Sequence, residues 1–369
     1  MINQERIVER FLRYIQIDSE TRHEKEIADM LVDELMAIGM DVQRDNAGDK
    51  IGGNAGNIIA KLKGDLDKPA ILLSAHMDTV TPGNGVKPIV ENGIIKSDGR
   101  TVLGSDDKAG IAGIIEGVQA IVEAGVSHGP IEIVFCIAEE GGLNGSKYLD
   151  YNMVDAKMGF VFDSGGKTGE VIVQGPAQDK IDVTIKGRPA HAGVAPEEGI
   201  SAIQVAAAAI SKMSLLRIDA DTTANVGVIQ GGLATNIVTP EVTIQAEARS
   251  LKNEKLDVQT AHMVQCFEEA AAEFGAEAIV ETSRAYTAFH ADQDSEVIAV
   301  IDRALAAMKI EPNYKPTGGG SDTNNYNQNG IQAINLGVGM QKVHTLEEFI
   351  EIEDLISTGN LVTEIIKNV

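Results

Sequence analysis

The sequence has little of what several classes of protein require. Its 369 residues include two cysteines, Cys136 and Cys266, which lie far apart, so we expect neither a disulfide scaffold nor a cysteine-based zinc site. Tryptophan is absent and aromatic residues make up 4% of the chain, which leaves few rings for stacking on nucleic-acid bases. No apolar run approaches the roughly 20 residues of a transmembrane helix. The small number and wide separation of the cysteines suit a protein of a reducing compartment.

Positive charge is also scarce. The chain has 31 basic and 55 acidic residues, for a formal net charge of −24. A surface this negative repels phosphate backbones and anionic membranes but not divalent cations, so we expect no nucleic-acid or membrane partner. The chain opens directly on a helical pattern, without the basic and apolar regions of a signal peptide, and we therefore expect a cytoplasmic protein.

Strands and helices alternate along most of the chain. At roughly 150 residues per domain, the length suggests two domains. Short apolar runs predict buried strands, and apolar positions three and four residues apart predict helices. Such alternation indicates a mostly parallel, doubly wound α/β sheet with sites at the carboxyl ends of its strands. The predicted strands are residues 58–62, 70–75, 131–137 and 158–162, and the predicted helices are residues 5–17, 24–38 and 107–124.

The pattern changes near Lys180. From there to about Thr282, the order of predicted elements is β-α-β-β-α-β, as in ferredoxin-like folds. The α/β pattern then resumes with a helix at 297–308, a strand at 331–336 and a last helix at 346–367. We therefore expect a discontinuous α/β domain, residues 1–177 and 289–369, into which residues 178–288 are inserted.

Titratable residues follow the predicted strands at their carboxyl ends, where a doubly wound sheet forms its crevice. They are His76 and Asp78, Asp106 and Asp107 at a helix start, Glu139 and Glu140, Asp163, and His344. So many carboxylates cannot share one crevice uncompensated, because like charges raise each other's pKa. A pair of divalent cations would neutralise them, and imidazole with carboxylate suits Zn, Co or Mn.

Each of these residues also has an ordinary explanation. Asp106 and Asp107 can serve as a helix cap, and the other acidic residues can lie in solvated turns. His344 can be an unremarkable loop residue. Asp78, however, follows His76 by two positions in an extended strand, so it lies on the same side and can orient the imidazole ring. Five independent ordinary explanations would not all fall on one sheet edge, and the combination favours a metal site.

The motifs together resemble the ordered set of the M20 metallopeptidase family, most closely its peptidase T-like branch. The resemblance covers essentially the whole chain. It implies a zinc-peptidase-type catalytic domain with a mixed sheet and an inserted lid and dimerisation domain. The matching segments are His76-Met77-Asp78-Thr79, Gly104-Ser105-Asp106-Asp107-Lys108-Ala109-Gly110, Ala138-Glu139-Glu140-Gly141-Gly142, Val161-Phe162-Asp163 and Val343-His344-Thr345.

The resemblance implies roles for these residues at a site of two divalent metal ions per subunit, expected to be Zn, with Co or Mn as alternatives. Asp106 would bridge the ions and would be followed by a cis peptide bond. The ligands of one ion would be His76 and Asp163, and those of the other Glu140 and His344. Asp78 would orient His76, and Glu139 would be the general base that deprotonates the bridging water.

The resemblance also implies residues that contact the substrate from the insertion. His191, in Gly187-Arg188-Pro189-Ala190-His191-Ala192-Gly193, would stabilise the oxyanion, supplied across a homodimer formed through the lid. Asn236 and Arg249 would bind a carboxylate or the backbone of the substrate, although an exposed strand arginine is nearly as good an explanation of Arg249. Gly319 and Gly320 would let the backbone approach the ligand closely.

The function we expect is hydrolysis of short peptides, as by a tripeptide aminopeptidase. Within the family, an N-acyl amino acid amidohydrolase or a dipeptidase remains an alternative. A metal-binding scaffold without turnover is disfavoured because Glu139 is present. Nucleotide binding ranks last, since no G-x-G-x-x-G segment follows the first strand.

Overall fold

Two compact units make up the chain. In the computed structural model, which describes all residues from Met1 to Val369, the first unit comprises Met1–Gln174, His290–Thr317 and Ser321–Val369. The second unit comprises Gly175–Phe289 and Gly318–Gly320. No helix in the structure has the length and apolar character needed to cross a membrane.

The elements of both units are numbered here in chain order. The helices are α1 (Gln4–Tyr14), α2 (Lys25–Ala37), α3 (Ala47–Ile51), α4 (Ser105–Ala124), α5 (Asn144–Lys147), α6 (Ala202–Lys212), α7 (Asn253–Phe274), α8 (Glu296–Met308), α9 (Asp322–Gln328) and α10 (Ile352–Lys367). The strands are β1 (Asp41–Arg44), β2 (Ile58–Leu62), β3 (Ile71–His76), β4 (Ile89–Glu91), β5 (Ile94–Lys96), β6 (Ile131–Cys136), β7 (Met158–Ser164), β8 (Glu170–Gly175), β9 (Ala177–Lys186), β10 (Leu216–Arg217), β11 (Thr222–Gly231), β12 (Glu241–Ser250), β13 (Glu277–Tyr286), β14 (Phe289–His290), β15 (Asn313–Pro316), β16 (Gln332–Gly337) and β17 (Phe349–Glu351).

A mixed nine-stranded sheet forms the centre of the first unit. Its order is β1-β2-β6-β3-β7-β16-β8-β14, with β15 paired to β8. The four central strands β6, β3, β7 and β16 run parallel. The pairs β1–β2, β2–β6 and β16–β8 are antiparallel, and β15 pairs parallel with β8. This arrangement confirms the predicted fold class, and it brings the carboxyl ends of four parallel strands to one edge.

Both faces of the central sheet are buried. Along β3, Ile71, Leu73 and Ala75 pack into a large apolar cluster that includes α1, α2, α4, α8 and α10, whereas Leu72 faces a smaller cluster around Tyr326 on the opposite side. Because successive strand residues point to opposite faces, a strand covered on both sides must be apolar throughout. This requirement explains why the parallel strands were visible in the sequence as continuous apolar runs.

The sheet of the second unit is antiparallel and covered on one face only. The strand order β11-β12-β9-β13 is that of a ferredoxin-like fold, with β10 added at the edge next to β11. Ile181, Val183 and Ile185 of β9 face an apolar cluster with α6 and α7, and the residues between them are polar. The alternation of apolar and polar residues is the pattern of a half-buried strand.

The predicted helix at 346–367 is wrong at its start. In the structure, 346–348 lie in a loop, residues 349–351 form β17, and α10 begins at Ile352. The structure also contains short strands that the sequence pattern did not predict, among them β1, β4 and β5. These strands are three or four residues long and partly exposed, so they lack the apolar runs on which the prediction depended.

Helix α4 leads away from the sheet edge and packs closely on α10. An added Cβ at Gly113 of α4 would lie 2.5 Å from Cγ2 of Thr358, which is tighter than any normal contact. The Thr358 hydroxyl donates to the main-chain oxygen of Asp354 at 3.0 Å. The contact between the helices therefore requires a glycine at position 113.

We expect Gly113→Ala to destabilise the protein by about 1–3 kcal/mol through overpacking. In an exposed helix the same change stabilises the protein by roughly 1 kcal/mol, so the effect expected here has the opposite sign. Chemical denaturation measures the effect. Thr358→Ser removes Cγ2 and keeps the hydroxyl, so the cost of Gly113→Ala should be smaller in that background. A single variant as stable as the wild type would show that the two helices tolerate the extra carbon.

Candidate metal centre

The parallel strands of the first unit end beside a cluster of acidic and histidine side chains. His76 is the last residue of β3, Asp163 lies near the end of β7, and Glu139 and Glu140 follow β6. His344 lies in the loop after β16. The structure therefore brings together residues that are as much as 268 positions apart in the sequence, at the edge where the sequence analysis expected them.

His76 is buried between carboxylates. Its Nε2 lies 3.0 Å from Oδ1 of Asp106 and 3.7 Å from Oδ1 of Asp163. Its Nδ1 lies 3.0 Å from the main-chain oxygen of Asp78 and 3.4 Å from Oδ1 of the same residue. Asp78 thus contacts the ring on the side away from the other two carboxylates, which is how a carboxylate orients a ligating histidine.

Asp106 faces two imidazoles with its two oxygens. Oδ1 lies beside His76, and Oδ2 lies 3.2 Å from Nε2 of His344. The same His344 nitrogen lies 2.7 Å from Oε1 of Glu140. A cis peptide bond joins Asp106 to Asp107, as the resemblance implied. Asp106 therefore lies between a pair formed by His76 and Asp163 and a pair formed by Glu140 and His344.

Mutual crowding shifts the pKa values in this cluster. Burial raises the pKa of Asp163 to about 7 and that of Glu139 well above its ordinary range. Hydrogen bonds to Asp106 and Glu140 raise the pKa of His344 to about 10. Burial alone would lower the pKa of His76, but the carboxylates beside Nε2 and Nδ1 raise it well above its usual value. The cluster therefore stabilises positive charge strongly.

This donor set fits divalent cations. One group of potential ligands comprises His76, Asp106 and Glu140, and a second comprises His76, Asp107 and Asp163, with the ligand atoms of each group within 4.8 Å of one another. All donors are nitrogen or oxygen, as zinc, cobalt and manganese accept. The excess of buried carboxylates over cationic side chains favours two ions rather than one.

The turn that carries Glu139 and Glu140 is held through its backbone. Four successive N–H groups, those of residues 137–140, each donate to a side chain from another part of the first unit. The acceptors are Asn57 for residue 137, Glu24 for residue 138 and Asp78 for residues 139 and 140, at 3.0, 3.1, 2.9 and 3.2 Å. Asp78 thus links the position of His76 to that of both glutamates.

Two acidic residues of the cluster have no role among those that the resemblance implied. Asp107 was expected at the crevice without an assigned role, and Asp322 was not expected there. Asp107 is fully buried, and its Oδ2 accepts from the main-chain N–H of His76 at 3.2 Å. Asp322 is 2% exposed, accepts from Ser146 Oγ at 2.5 Å, and its charge contributes to the raised pKa values of Glu139 and Asp163. In the sequence, Asp322 follows the glycines at 318–320, and this position does not indicate a buried carboxylate beside the metal cluster.

The other predicted site residues lie in the second unit. His191 and Asn236 are adjacent there, because His191 bridges antiparallel to Ile237 and the N–H of Ala192 donates to the oxygen of Asn236 at 3.0 Å. The His191 side chain is exposed, and its Nδ1 accepts from the N–H of Gly193 at 3.1 Å. The structure therefore brings together two residues that are 45 positions apart in the sequence.

Arg249 and the glycine segment also lie together in the second unit. The guanidinium of Arg249 binds both carboxylate oxygens of Glu247, each at 3.1 Å, and its NH1 lies 3.4 Å from the oxygen of Gly318. An added Cβ at Gly320 would lie 2.3 Å from Cζ of Tyr286. Packing on this ring by itself accounts for the glycine at position 320.

Comparison with known proteins identifies the family. The model of peptidase family M20/M25/M40 matches residues 72–368. The chain belongs to this family. Uncharacterized protein YqjE of Bacillus subtilis strain 168 is 47% identical to this M20 peptidase, with 100% of this chain and 99% of the relative covered.

Two solved structures resemble the M20 peptidase described here. Aminopeptidase PepT from Bacillus cereus ATCC 10987 is 45% identical, with a TM-score of 0.93 and coverage of 100% of this chain and 99% of that one. A tripeptidase from Staphylococcus aureus Mu50 is 41% identical, with a TM-score of 0.96 and coverage of 100% and 98%. The protein is a metallopeptidase, which confirms the enzyme class and the peptidase T-like resemblance.

Proposed function

We propose that this M20 peptidase is an aminopeptidase that removes the first residue of tripeptides and similar short peptides. The observation that carries the proposal is the position of Asp106, whose two carboxylate oxygens face the separate imidazoles of His76 and His344. That arrangement suits a carboxylate shared by two metal ions. The two similar solved structures, an aminopeptidase and a tripeptidase, support the substrate class.

The five proposed ligands divide into two sets about Asp106. His76 and Asp163 would hold one ion, Glu140 and His344 would hold the other, and Asp106 would contact both. We propose zinc, with cobalt or manganese as functional substitutes. When bound, the two ions would polarise the scissile carbonyl and lower the pKa of the attacking water.

Glu139 is the proposed general base. Its carboxyl is buried, and its backbone is fixed by the hydrogen bond from its N–H to Oδ1 of Asp78 at 2.9 Å. Its carboxylate oxygen would accept a proton from the attacking water and return it to the amine that leaves. Asp78 would fix the positions of Glu139 and His76 relative to each other, because it accepts from the N–H of Glu139 and contacts the imidazole ring of His76.

We propose that His191, Asn236, Arg249, Gly319 and Gly320 contact the substrate. His191 would donate to the oxygen of the reacting carbonyl and stabilise its negative charge. Arg249 presents five N–H donors and uses three of them on Glu247 and Gly318, so two remain for a substrate carboxylate.

We also propose a homodimer formed through the second unit, in which β11 leaves residues 225–231 as a free sheet edge.

The cysteines support the proposed compartment. Cys136 and Cys266 are both buried and neither forms a disulfide bond. Such thiols are usual in a reducing environment, and we propose that the enzyme acts in the cytoplasm on small peptides.

Substitution of the two adjacent glutamates distinguishes the proposed general base from a proposed metal ligand. Glu140→Ala should lower the bound metal from two ions towards one, because it removes a ligand of one ion only. Glu139→Ala should retain both ions and reduce turnover by roughly 10²-fold or more. Elemental analysis of the purified variants gives the metal content, and initial rates give the turnover. Equal loss of metal from both variants would show that the roles are assigned wrongly.

A panel of substrates tests the reaction. Tripeptides with a free amino group should be cleaved after the first residue, and the same peptides acetylated at the amine should be resistant. Removal of metal with a chelator should abolish the activity, and added Zn, Co or Mn should restore it. Mass spectrometry identifies the products. Preferential hydrolysis of N-acyl amino acids or of dipeptides would replace the proposed substrate with the corresponding alternative.

His191 should act across the proposed dimer. His191→Ala should reduce kcat by roughly 10²–10³-fold while metal content stays at the wild-type level, as on removal of an oxyanion donor. Mixing His191→Ala with Glu139→Ala subunits should regenerate activity, because one site of each heterodimer then has both residues. Native mass spectrometry verifies the heterodimer. Heterodimers without recovered activity would place the action of His191 within its own chain, and a fully active monomer would exclude the trans arrangement.

A further inference from the structure

Glu348 is a buried carboxylate outside the proposed ligand set. It is 1% exposed, and its Oε2 accepts from the N–H groups of Leu103 and Gly104 at 2.7 and 3.0 Å. Its Oε1 accepts from the hydroxyl of Ser105 at 2.5 Å and from the N–H of Asp106 at 3.1 Å. One side chain therefore satisfies four donors in four consecutive residues, the last of which is the proposed bridging ligand.

The same glutamate lies at the base of the loop that carries His344. An antiparallel bridge between Gln341 and Phe349, with hydrogen bonds of 2.9 and 3.1 Å, closes this loop. His344 lies at its tip with a φ of 63° and a side chain 51% exposed. Within the loop, Thr345 Oγ1 donates to the oxygen of Lys342 at 2.7 Å, and outside it His344 Nε2 contacts Glu140 and Gln341 Nε2 donates to the oxygen of Gly165 at 3.3 Å.

We propose that Glu348 is a positioning residue that holds the His344 loop against the segment 103–106, so that His344 and Asp106 bind the same metal ion. The inference rests on the proposed function, because it concerns the ion held by Glu140 and His344. Glu348 itself would contact neither the substrate nor an ion, because its two oxygens are occupied by the four donors of residues 103–106. Its effect passes through the backbone of Asp106 on one side and through four residues of chain to His344 on the other.

The four donors require a carboxylate. Two oxygens with two lone pairs each can accept all four hydrogen bonds, whereas a glutamine offers one oxygen and places an N–H₂ group against N–H donors. Glu348→Gln keeps the size of the side chain, but it disrupts part of the set of four hydrogen bonds. Residues that orient the ligands of a metal commonly change its affinity by about 10–100-fold when they are replaced.

The neighbouring residue provides a matched control. Glu347 has a side chain 73% exposed, pairs with Lys342 and makes no contact with segment 103–106. Glu347→Gln therefore removes the same charge one position away without disturbing the four donors. Ser105→Ala is a milder second variant, since it removes one of the four hydrogen bonds and leaves no N–H group without an acceptor.

The experiment is a titration of metal-free wild-type, Glu348→Gln, Glu347→Gln and Ser105→Ala proteins with Zn²⁺ in competition with a chelating dye. We expect Glu348→Gln to weaken the binding of the ion held by Glu140 and His344 by about 10–100-fold and that of the other ion clearly less, because the first ion depends on both the His344 loop and Asp106 and the second on Asp106 alone. Ser105→Ala should weaken the same ion less, and Glu347→Gln should match the wild type. Excess metal should restore most of the turnover of Glu348→Gln, and its Co²⁺ absorption spectrum should differ from that of the wild type.

Several outcomes would overturn the inference. Wild-type affinities for both ions in Glu348→Gln would exclude a positioning role. Equal weakening of both ions, together with a lower thermal stability that excess metal does not restore, would show that Glu348 supports the fold only. Should Glu348→Gln fail to fold, wild-type binding by Ser105→Ala would overturn the inference. A wild-type protein that binds no second ion would remove the proposed function, and the inference would fall with it.

Discussion

The interaction on which the rest of this structure depends is the repulsion among carboxylates gathered at one edge of a sheet. Asp106, Asp107, Glu139 and Asp163 approach one another around His76, where burial removes the water that would otherwise screen them. Such a cluster is stabilised when protons or cations enter it, and the crowding raises the pKa values of both imidazoles as well as those of the buried carboxyls. Divalent ions compensate the carboxylates with more positive charge in a smaller volume than protonated imidazoles do. The affinity of this site for cations thus follows from the repulsion among the carboxylates that the fold brings together.

A second set of side chains opposes that repulsion by holding the backbone. Asn57, Glu24 and Asp78 bind the N–H groups of the turn that carries Glu139 and Glu140, and Glu348 binds the segment that ends at Asp106. Hydrogen bonds from N–H groups to carboxylates are stronger than those between neutral groups, and they are strongest where water is excluded. Burial raises the pKa of Glu24 to about 7, which is consistent with a carboxylate placed for its oxygens rather than for its charge. These hydrogen bonds anchor the main chain that carries the proposed ligands, and they therefore fix the positions of those side chains.

These two sets differ in how readily a sequence reveals them. The strands β3, β6 and β7 are covered on both faces, so their apolar runs are evident, and the residues just beyond them are natural candidates for a site. Short strands such as β1 and β17 have no such signature, and the predicted start of the last helix was wrong because the segment 346–351 contains a loop and a strand instead. Glu348 shares no periodicity with the segment that it holds, since three of its four partners are backbone N–H groups and all four lie more than 240 positions away. A contact to a backbone N–H places no requirement on the identity of the partner residue, and sequence alone therefore carries no trace of it.

The substrate side of the site is harder to predict than the metal side for a related reason. A metal ion restricts its ligands to a few residue types, and their combination at strand ends is informative. The proposed substrate contacts involve residues that also have structural roles. Arg249 is already paired with Glu247, and the ring of Tyr286 occupies the space of a Cβ at Gly320. A glycine can thus reflect packing within the unit as well as the approach of a ligand, and the motif looks the same in both cases. Two N–H donors of Arg249 remain uncommitted to Glu247 or Gly318, and it is this residual capacity, rather than the motif, that supports a role in recognising a carboxylate.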